Sequence, residues 1–194
     1  ARQIIIFALK VSLTPLWSPL PKYWAVKIPA PDIPPKIQML KTKIISSLEK
    51  AFVNGNIDGF DALERVSILK NERFSFQFIF TQDHAATLRP IISFSGALAE
   101  YVSVRKIMNV PSLCPYTDKH DDNFLYTEPT LCPDLLCPHD AYGRVTIGRK
   151  NLSGVWVEID LRNAEDITPA LSGPLTVTLT SNGEALSENT LEIE

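Results

Sequence analysis

Alternation of apolar and polar positions is clearest from Arg73 to Thr81 (RFSFQFIFT). Phe74, Phe76, Phe78 and Phe80 share one side, and Ser75, Gln77 and Ile79 the other. A period of two is that of a β-strand with one face turned to a core. Burying each ring stabilises a fold by roughly 1.5–3 kcal/mol, so this strand is expected to anchor a core against a second sheet. A sugar-stacking platform would carry Trp or Tyr, and this row has neither.

The pattern recurs. Val155, Val157, Ile159 and Leu161 alternate with Trp156, Glu158 and Asp160, and Leu175, Val177 and Leu179 with Thr176, Thr178 and Thr180. Asn182-Gly183 predicts a tight hairpin turn, with the chain returning through Glu184–Glu194. That turn sets Leu179 against Leu186 but Val177 against Glu188. A one-residue bulge near Ser187–Thr190 would bring Leu175 opposite Leu191. Further strands are expected at Ile91–Ser95, Leu98–Met108 and Arg144–Ile147. Leu40–Phe52 reads as an extended entry strand, Asn54–Asp61 as turn chemistry, and Glu64–Leu69 as a short alternation placing Val66 and Ile68 together. Asn71-Glu72 breaks it. Short strands separated by turns, with no amphipathic helix of useful length, predict an all-β fold. It is a two-sheet antiparallel β-sandwich over about Leu63–Ile193, its core including Phe74, Phe76, Phe78, Val157, Ile159 and Val177.

Two stretches depart from this scaffold. Asn109–Ile147 shows no helical or strand period and holds all three cysteines, two of the three histidines and five prolines. Loops this long in a compact domain are usually functional or disordered. Its aromatic and leucine content (Tyr116, Phe124, Leu125, Tyr126, Leu131, Leu135, Leu136) favours an ordered loop packed against something. Residues 1–38 carry seven of the fifteen prolines and almost no acid. Ile4–Leu9 is too short for a membrane span, and prolines stand where a signal peptide would need a small-residue cleavage site. Two readings stand side by side. In one, Met39 is the natural start and the upstream segment is adventitious; in the other, residues 1–38 are a native Pro-rich arm laid over the domain. Either way, the domain proper is 39–194.

A net charge of −3 with scattered lysines and arginines leaves no basic footprint for nucleic acid. No membrane segment is read. Three cysteines without framework spacing favour a reducing, cytoplasmic compartment, with secretion the alternative.

Cys114, His120, Cys132, Cys137 and His139 invite a zinc reading, but C-x17-C-x4-C-x-H matches no zinc-finger spacing. A proline follows each cysteine, which suits extended backbone better than a chelating turn. No metal or cofactor is expected. His120-Asp121-Asp122-Asn123 is the sharpest polar cluster. In extended chain its adjacent carboxylates point apart, so hydrogen bonding within the loop is favoured over paired acid–base chemistry. No nucleophile elbow, phosphate loop or zinc-protease motif occurs.

Six segments in order carry a resemblance: SSLEKAF (Ser46–Phe52), NERFSFQFIF (Asn71–Phe80), YVSVRKIMNVPS (Tyr101–Ser112), HDDNFLYTEPTLCPDLLCP (His120–Pro138), SGVWVEIDL (Ser153–Leu161) and GPLTVTLT (Gly173–Thr180). Together they resemble the N-terminal β-sandwich of bacterial glycoside hydrolase family 123 and its relatives, over about Lys43 to Glu194. Cys132 and Cys137 stand where that pattern has tyrosine or leucine, and Gly173-Pro174 replaces a glycine–aromatic pair. The resemblance implies that the sandwich precedes a catalytic (β/α)8 barrel. In that barrel an Asp-Glu pair runs substrate-assisted, retaining hydrolysis of β-N-acetylgalactosaminides. This chain has no adjacent Asp-Glu pair, so no catalytic residue is assigned.

The resulting expectation is a truncated or split product: a non-catalytic accessory domain docking on a separate barrel. His120, Asp121, Asp122, Asn123, Tyr126 and Trp156 are its candidate glycan or barrel contacts. The alternatives are a free-standing carbohydrate-binding module, stacking sugars on Trp156, Tyr116 and Tyr126, and a purely structural sandwich.

Overall fold

The computed structural model describes residues 40–113, 125, 126, 128–162, 164 and 172–194, all within the compact unit Lys36–Glu194. Nine strands appear: β1 (Leu40–Ser46), β2 (Arg65–Val66), β3 (Arg73–Gln82), β4 (Ile91–Ser95), β5 (Val102–Ser112), β6 (Thr130–Pro138), β7 (Ser153–Asp160), β8 (Gly173–Ser181) and β9 (Glu184–Ile193). They form a five-stranded sheet in the order β1-β3-β7-β5-β6 and a four-stranded sheet in the order β2-β9-β8-β4. The two sheets make a β-sandwich. All strand pairs are antiparallel except β2 with β9, which is parallel. Among the described residues no helix is long and apolar enough to cross a membrane.

The Phe row lies where its alternation placed it. Phe76, Phe78 and Phe80 are buried in the interlayer core with Val155, Val157, Ile159, Leu175, Val177, Leu179 and Leu191, while Phe74 packs against that core half-buried. Register explains the fit, since Phe74 pairs with Ile159, Phe76 with Val157 and Phe78 with Val155. At one edge Asn189 Nδ2 on β9 donates to Thr42 Oγ1 on β1 at 2.7 Å, satisfying two polar groups between the layers.

The outer face of β3 is buried as well. Ile79 and Gln77 are 0 % and 4 % exposed, because residues 47–60 fold back across the sheet. Ile45, Ala51, Ile57, Ile79 and Leu152 make a second small core there. Gln77 Nε2 donates to the carbonyls of Ser46 (3.1 Å) and Glu49 (2.8 Å), which anchors the covering segment. The hydrophobic pattern of β3 alone shows one buried face; the second comes from a neighbour in sequence.

Several sequence expectations are corrected in detail. Thr130–Pro138, expected to be loop, is the edge strand β6; Pro133, Pro138 and a register shift at Met108/Asn109 disguise its period. Cys132 and Cys137 sit in this extended strand as free thiols, as their Cys-Pro steps predicted, whereas Cys114 lies outside the described residues. Arg144–Ile147 is not a strand and contributes only isolated bridges, Ile91 with Arg144 and Leu88 with Ile147. The alternation over Glu64–Leu69 yields only the two-residue β2. The Asn182-Gly183 turn takes positive φ at both residues (53° and 84°), and Leu175 does face Leu191. The bulge falls earlier than expected, however: Thr180 pairs with Ala185 and Leu179 with Ser187, so Leu186 is the extra residue. Residues 1–38 also lie outside the described residues.

At the far end of β7, Asp160 accepts from Arg162 (2.7 Å) and Arg73 (3.1 Å). These guanidiniums, Arg162 foremost, hold its carboxyl well below the usual carboxylate range. A depressed folded-state pKa contributes stability above the unfolded value near 4 and loses it as pH falls toward the folded one.

Two outcomes follow. Phe76→Ala should cost about 3–5 kcal/mol in a urea melt; a loss below about 1 kcal/mol would show that the ring is not core. Asp160→Asn should lower the melting temperature at pH 7, the gap to wild type closing below about pH 4. A gap constant with pH would remove the carboxylate from the account.

Candidate functional site

Concavity and unpaired polar groups coincide at one end of the sandwich. A groove of about 570 Å3 opens where β3 ends, β7 begins and β5 passes beneath the 139–148 segment. That volume lies within the roughly 300–1,000 Å3 usual for small-ligand sites. Its floor reaches the interlayer core at Phe80, Val145 and Val155.

Three cations line it: Arg89, Lys106 and Arg144. Lys106 is the most informative. On β5 the inward positions run Val102, Val104, Lys106, and these pair with Ile159, Val157 and Val155 of β7. A lysine therefore occupies the third position of an apolar row, at the open end where its ammonium reaches solvent through the groove. Arg144 is set by the turn before it. Asp140 Oδ1 accepts from the Tyr142 N–H at 2.6 Å, its carbonyl accepts from the Gly143 N–H at 2.9 Å, and Gly143 supplies the positive φ (68°). The Arg144 guanidinium lies over the Tyr142 ring, its Cζ 4.7 Å from the centroid. Arg89 enters from the facing segment, between Leu88 and Pro90, whose backbones bond Ile147 and Val145.

Among the described residues none of these three cations joins an ion pair; those found involve Lys41, Lys50, Arg65, Arg73 and Arg162. Asp140 is the one acid on the lining, and its carboxylate already serves the turn. Asn109 and Asn151 add amides. His139, next after β6, also lines the groove, with both ring nitrogens buried and lacking a hydrogen-bond partner. An imidazole always has a donor or acceptor at each nitrogen.

The residues singled out by sequence lie elsewhere. His120, Asp121, Asp122 and Asn123 are outside the described residues. Trp156 points to the outer face of the five-stranded sheet and lines a cleft of about 100 Å3 with Gln77, Lys50, Ile107, Asp134 and Leu136. A bridge from Lys50 to Asp134 ties the 47–50 segment to β6 at this cleft. Tyr126 is half-buried, its hydroxyl 2.7 Å from Ser112 Oγ and its ring edge-on to Phe52, with centroids 6.0 Å apart. The structure brings neither residue to the large groove. The three cations were missed because they come from segments far apart in the chain. One signal was legible: Lys106 interrupts the alternation Val102, Val104.

No family model matches the chain, and no curated protein matches it. Among solved structures it resembles a family 123 glycoside hydrolase from Clostridium perfringens, described for glycolipid glycan hydrolysis. The match has 11 % identity and a TM-score of 0.52, over 80 % of this chain and 26 % of that one. What the two share is the fold. The chain thus spans about a quarter of that enzyme's length. A Pseudomonas fluorescens alkylpurine DNA glycosylase, bound to DNA containing an abasic site analog, aligns at a TM-score of only 0.31, with 12 % identity over 78 % of this chain and 30 % of that one. Similarity that low carries no argument.

Restoring the interrupted row should stabilise the protein. Lys106→Val is expected to raise stability by about 0.5–2 kcal/mol, read by denaturant melt. A destabilised variant would show that the lysine stem is itself structural packing.

Proposed function

We propose that this chain is a non-catalytic β-sandwich module of a glycoside hydrolase, working beside a (β/α)8 catalytic barrel that acts on β-N-acetylgalactosaminide-type glycans. The observation that carries the reading is the fold likeness to part of a family 123 enzyme. The distribution of exposed apolar side chains supports the docking role. Met108, Val110, Leu113, Leu125, Leu131 and Leu135 are all exposed, and all lie on β5, β6 or the segment joining them. Scattered exposed leucines need no explanation; several gathered on one hairpin mark an interaction face. His120, Asp121, Asp122 and Asn123, which belong to that connection in sequence, would then stand near the lip of the neighbouring cleft. They would shape it rather than run its chemistry.

Carbohydrate binding by the module itself is the second reading, favoured by the groove. It shares ground with docking, since Met108 lines the groove beside Lys106 as well as belonging to the exposed hairpin.

The isolated chain should not release aryl alcohol from aryl β-N-acetylgalactosaminides above a buffer blank. Turnover that Asp121→Asn or Asp122→Asn abolishes would overturn the non-catalytic assignment. Mixed with a separately produced family 123 barrel, the chain should co-elute in size exclusion, and Leu131→Asp/Leu135→Asp, still folded by its melt, should elute alone. Co-elution of both proteins, or of neither, would sink the docking role.

A further inference from the structure

We propose that the groove bounded by Arg89, Lys106 and Arg144 binds an acidic glycan, a sugar carrying a carboxylate or a sulfate. The sugar half of the assignment rests on the glycoside hydrolase reading; the anionic half stands on the groove itself.

Charge is the first argument. The chain as a whole is acidic, with 19 basic and 22 acidic residues, yet among the described residues the groove presents three cations against the single Asp140. Like charges held together without counter-ions repel one another, and a concave, partly apolar wall strengthens their common field. An anion in the groove relieves that repulsion.

Lys106 is the second argument. A solvated lysine fits any outward position on β5, and Arg105 occupies one, directly across from Trp156. Lys106 instead takes an inward position in line with Val102 and Val104. Its side chain is exposed there, so the ammonium is free to meet a ligand in the groove.

Geometry and size are the third. Arg144 lies over the Tyr142 ring at the groove's edge, and a guanidinium there can offer two N–H groups to two oxygens of one carboxylate or sulfate. A lone tetrahedral anion would fill only a small part of about 570 Å3, so the ligand has a body beyond its charge. The rest of that body meets the amides of Asn109 and Asn151 and the hydroxyls of Thr87 and Ser153. Groups that both donate and accept match the hydroxyls of a sugar. The exposed Tyr142 ring beside Arg144 offers an apolar surface at the rim.

Three probes separate the possibilities in a calorimetric titration of the full chain at low salt. They are a monosulfated disaccharide of glucuronate and N-acetylgalactosamine, a neutral disaccharide of galactose and N-acetylgalactosamine, and inorganic sulfate. The acidic disaccharide should bind, weaken as salt rises, and lose about tenfold or more in Lys106→Met and in Arg144→Gln, the loss expected for one charge-assisted hydrogen bond. Arg105→Gln, on the opposite face of the same strand, should leave binding unchanged, and each variant should keep its cooperative melt. Equal binding of the neutral disaccharide, or no loss in Lys106→Met and Arg144→Gln, overturns the proposal. Sulfate binding as tightly as the acidic disaccharide overturns the sugar assignment, and with it the support the groove lends to a glycan-handling module. No binding of any probe removes the groove alone and leaves the docking reading to its own test.

Discussion

The structure depends on β3 being buried on both faces. A strand in a sandwich normally has one wet face, and then its outward residues can be anything polar. Here Ile79 lies outward, and its Cγ2 approaches within 3.0 Å of where a Cβ on Gly154 would stand. The absence of a side chain at Gly154 thus lets Ile79 lie across β7. Gln77 in turn holds the 47–60 segment in place through two carbonyls. Burying those amide hydrogens without acceptors would cost about 1–3 kcal/mol, so the covering segment and the glutamine require each other. The consequence is a divided outer face. The half over β1 and β3 is covered, and the half over β5 and β6 is left with the small cleft lined by Trp156, Ile107 and Leu136. The face available for partners is set by what the chain does immediately after β1.

The groove arises from a different constraint, the way a sandwich ends. Where β3 finishes and β7 starts, the layers need something to close them. Leu88 and Pro90, facing Ile147 and Val145, supply apolar closure with backbone hydrogen bonds. The residues between and beside them, Arg89, Thr146 and Arg144, are directed to the groove. The same few residues seal the core on one side and build a cationic wall on the other. Lys106 joins them from β5 because the inner row of that strand runs past the limit of the core.

Much of the fold was legible because its strongest determinants are local and periodic. The Phe row of β3, the valines of β7, the leucines of β8 and the Asn-Gly turn each declare themselves within ten residues. Even the hairpin bulge was forced by pattern, since Leu175 and Leu191 must meet; only its position was off. It lies beside the turn, at Leu186, so every pair from Leu179–Ser187 outward takes the shifted register. β6 escaped because prolines and a register shift suppress its alternation, and what makes it a strand is its partner β5. The groove was hidden for a stronger reason. Arg89, Lys106 and Arg144 share no spacing or motif, and only the sheet order brings them together. Glycan-contact candidates were sought among aromatic residues and the His-Asp-Asp-Asn run. Of these, Tyr126 lies edge-on to Phe52 and Trp156 lines the small outer cleft.

The placement of prolines in β6 bears on how an exposed apolar hairpin avoids pairing with copies of itself. An edge strand with several exposed leucines is the usual template for adding a foreign strand and, by repetition, a fibril. Pro133 and Pro138 each remove an amide donor from that edge, and the irregular register at Met108/Asn109 bends the strand away from the flat geometry such stacking needs. On the other sheet the edge strand β2 is only two residues long and gives an incoming strand little to align with. Side-chain stickiness and backbone stickiness are thereby separated on the same hairpin. A partner can recognise its leucines, while a second copy gains little from its main chain, so an apolar face can persist here without seeding aggregation.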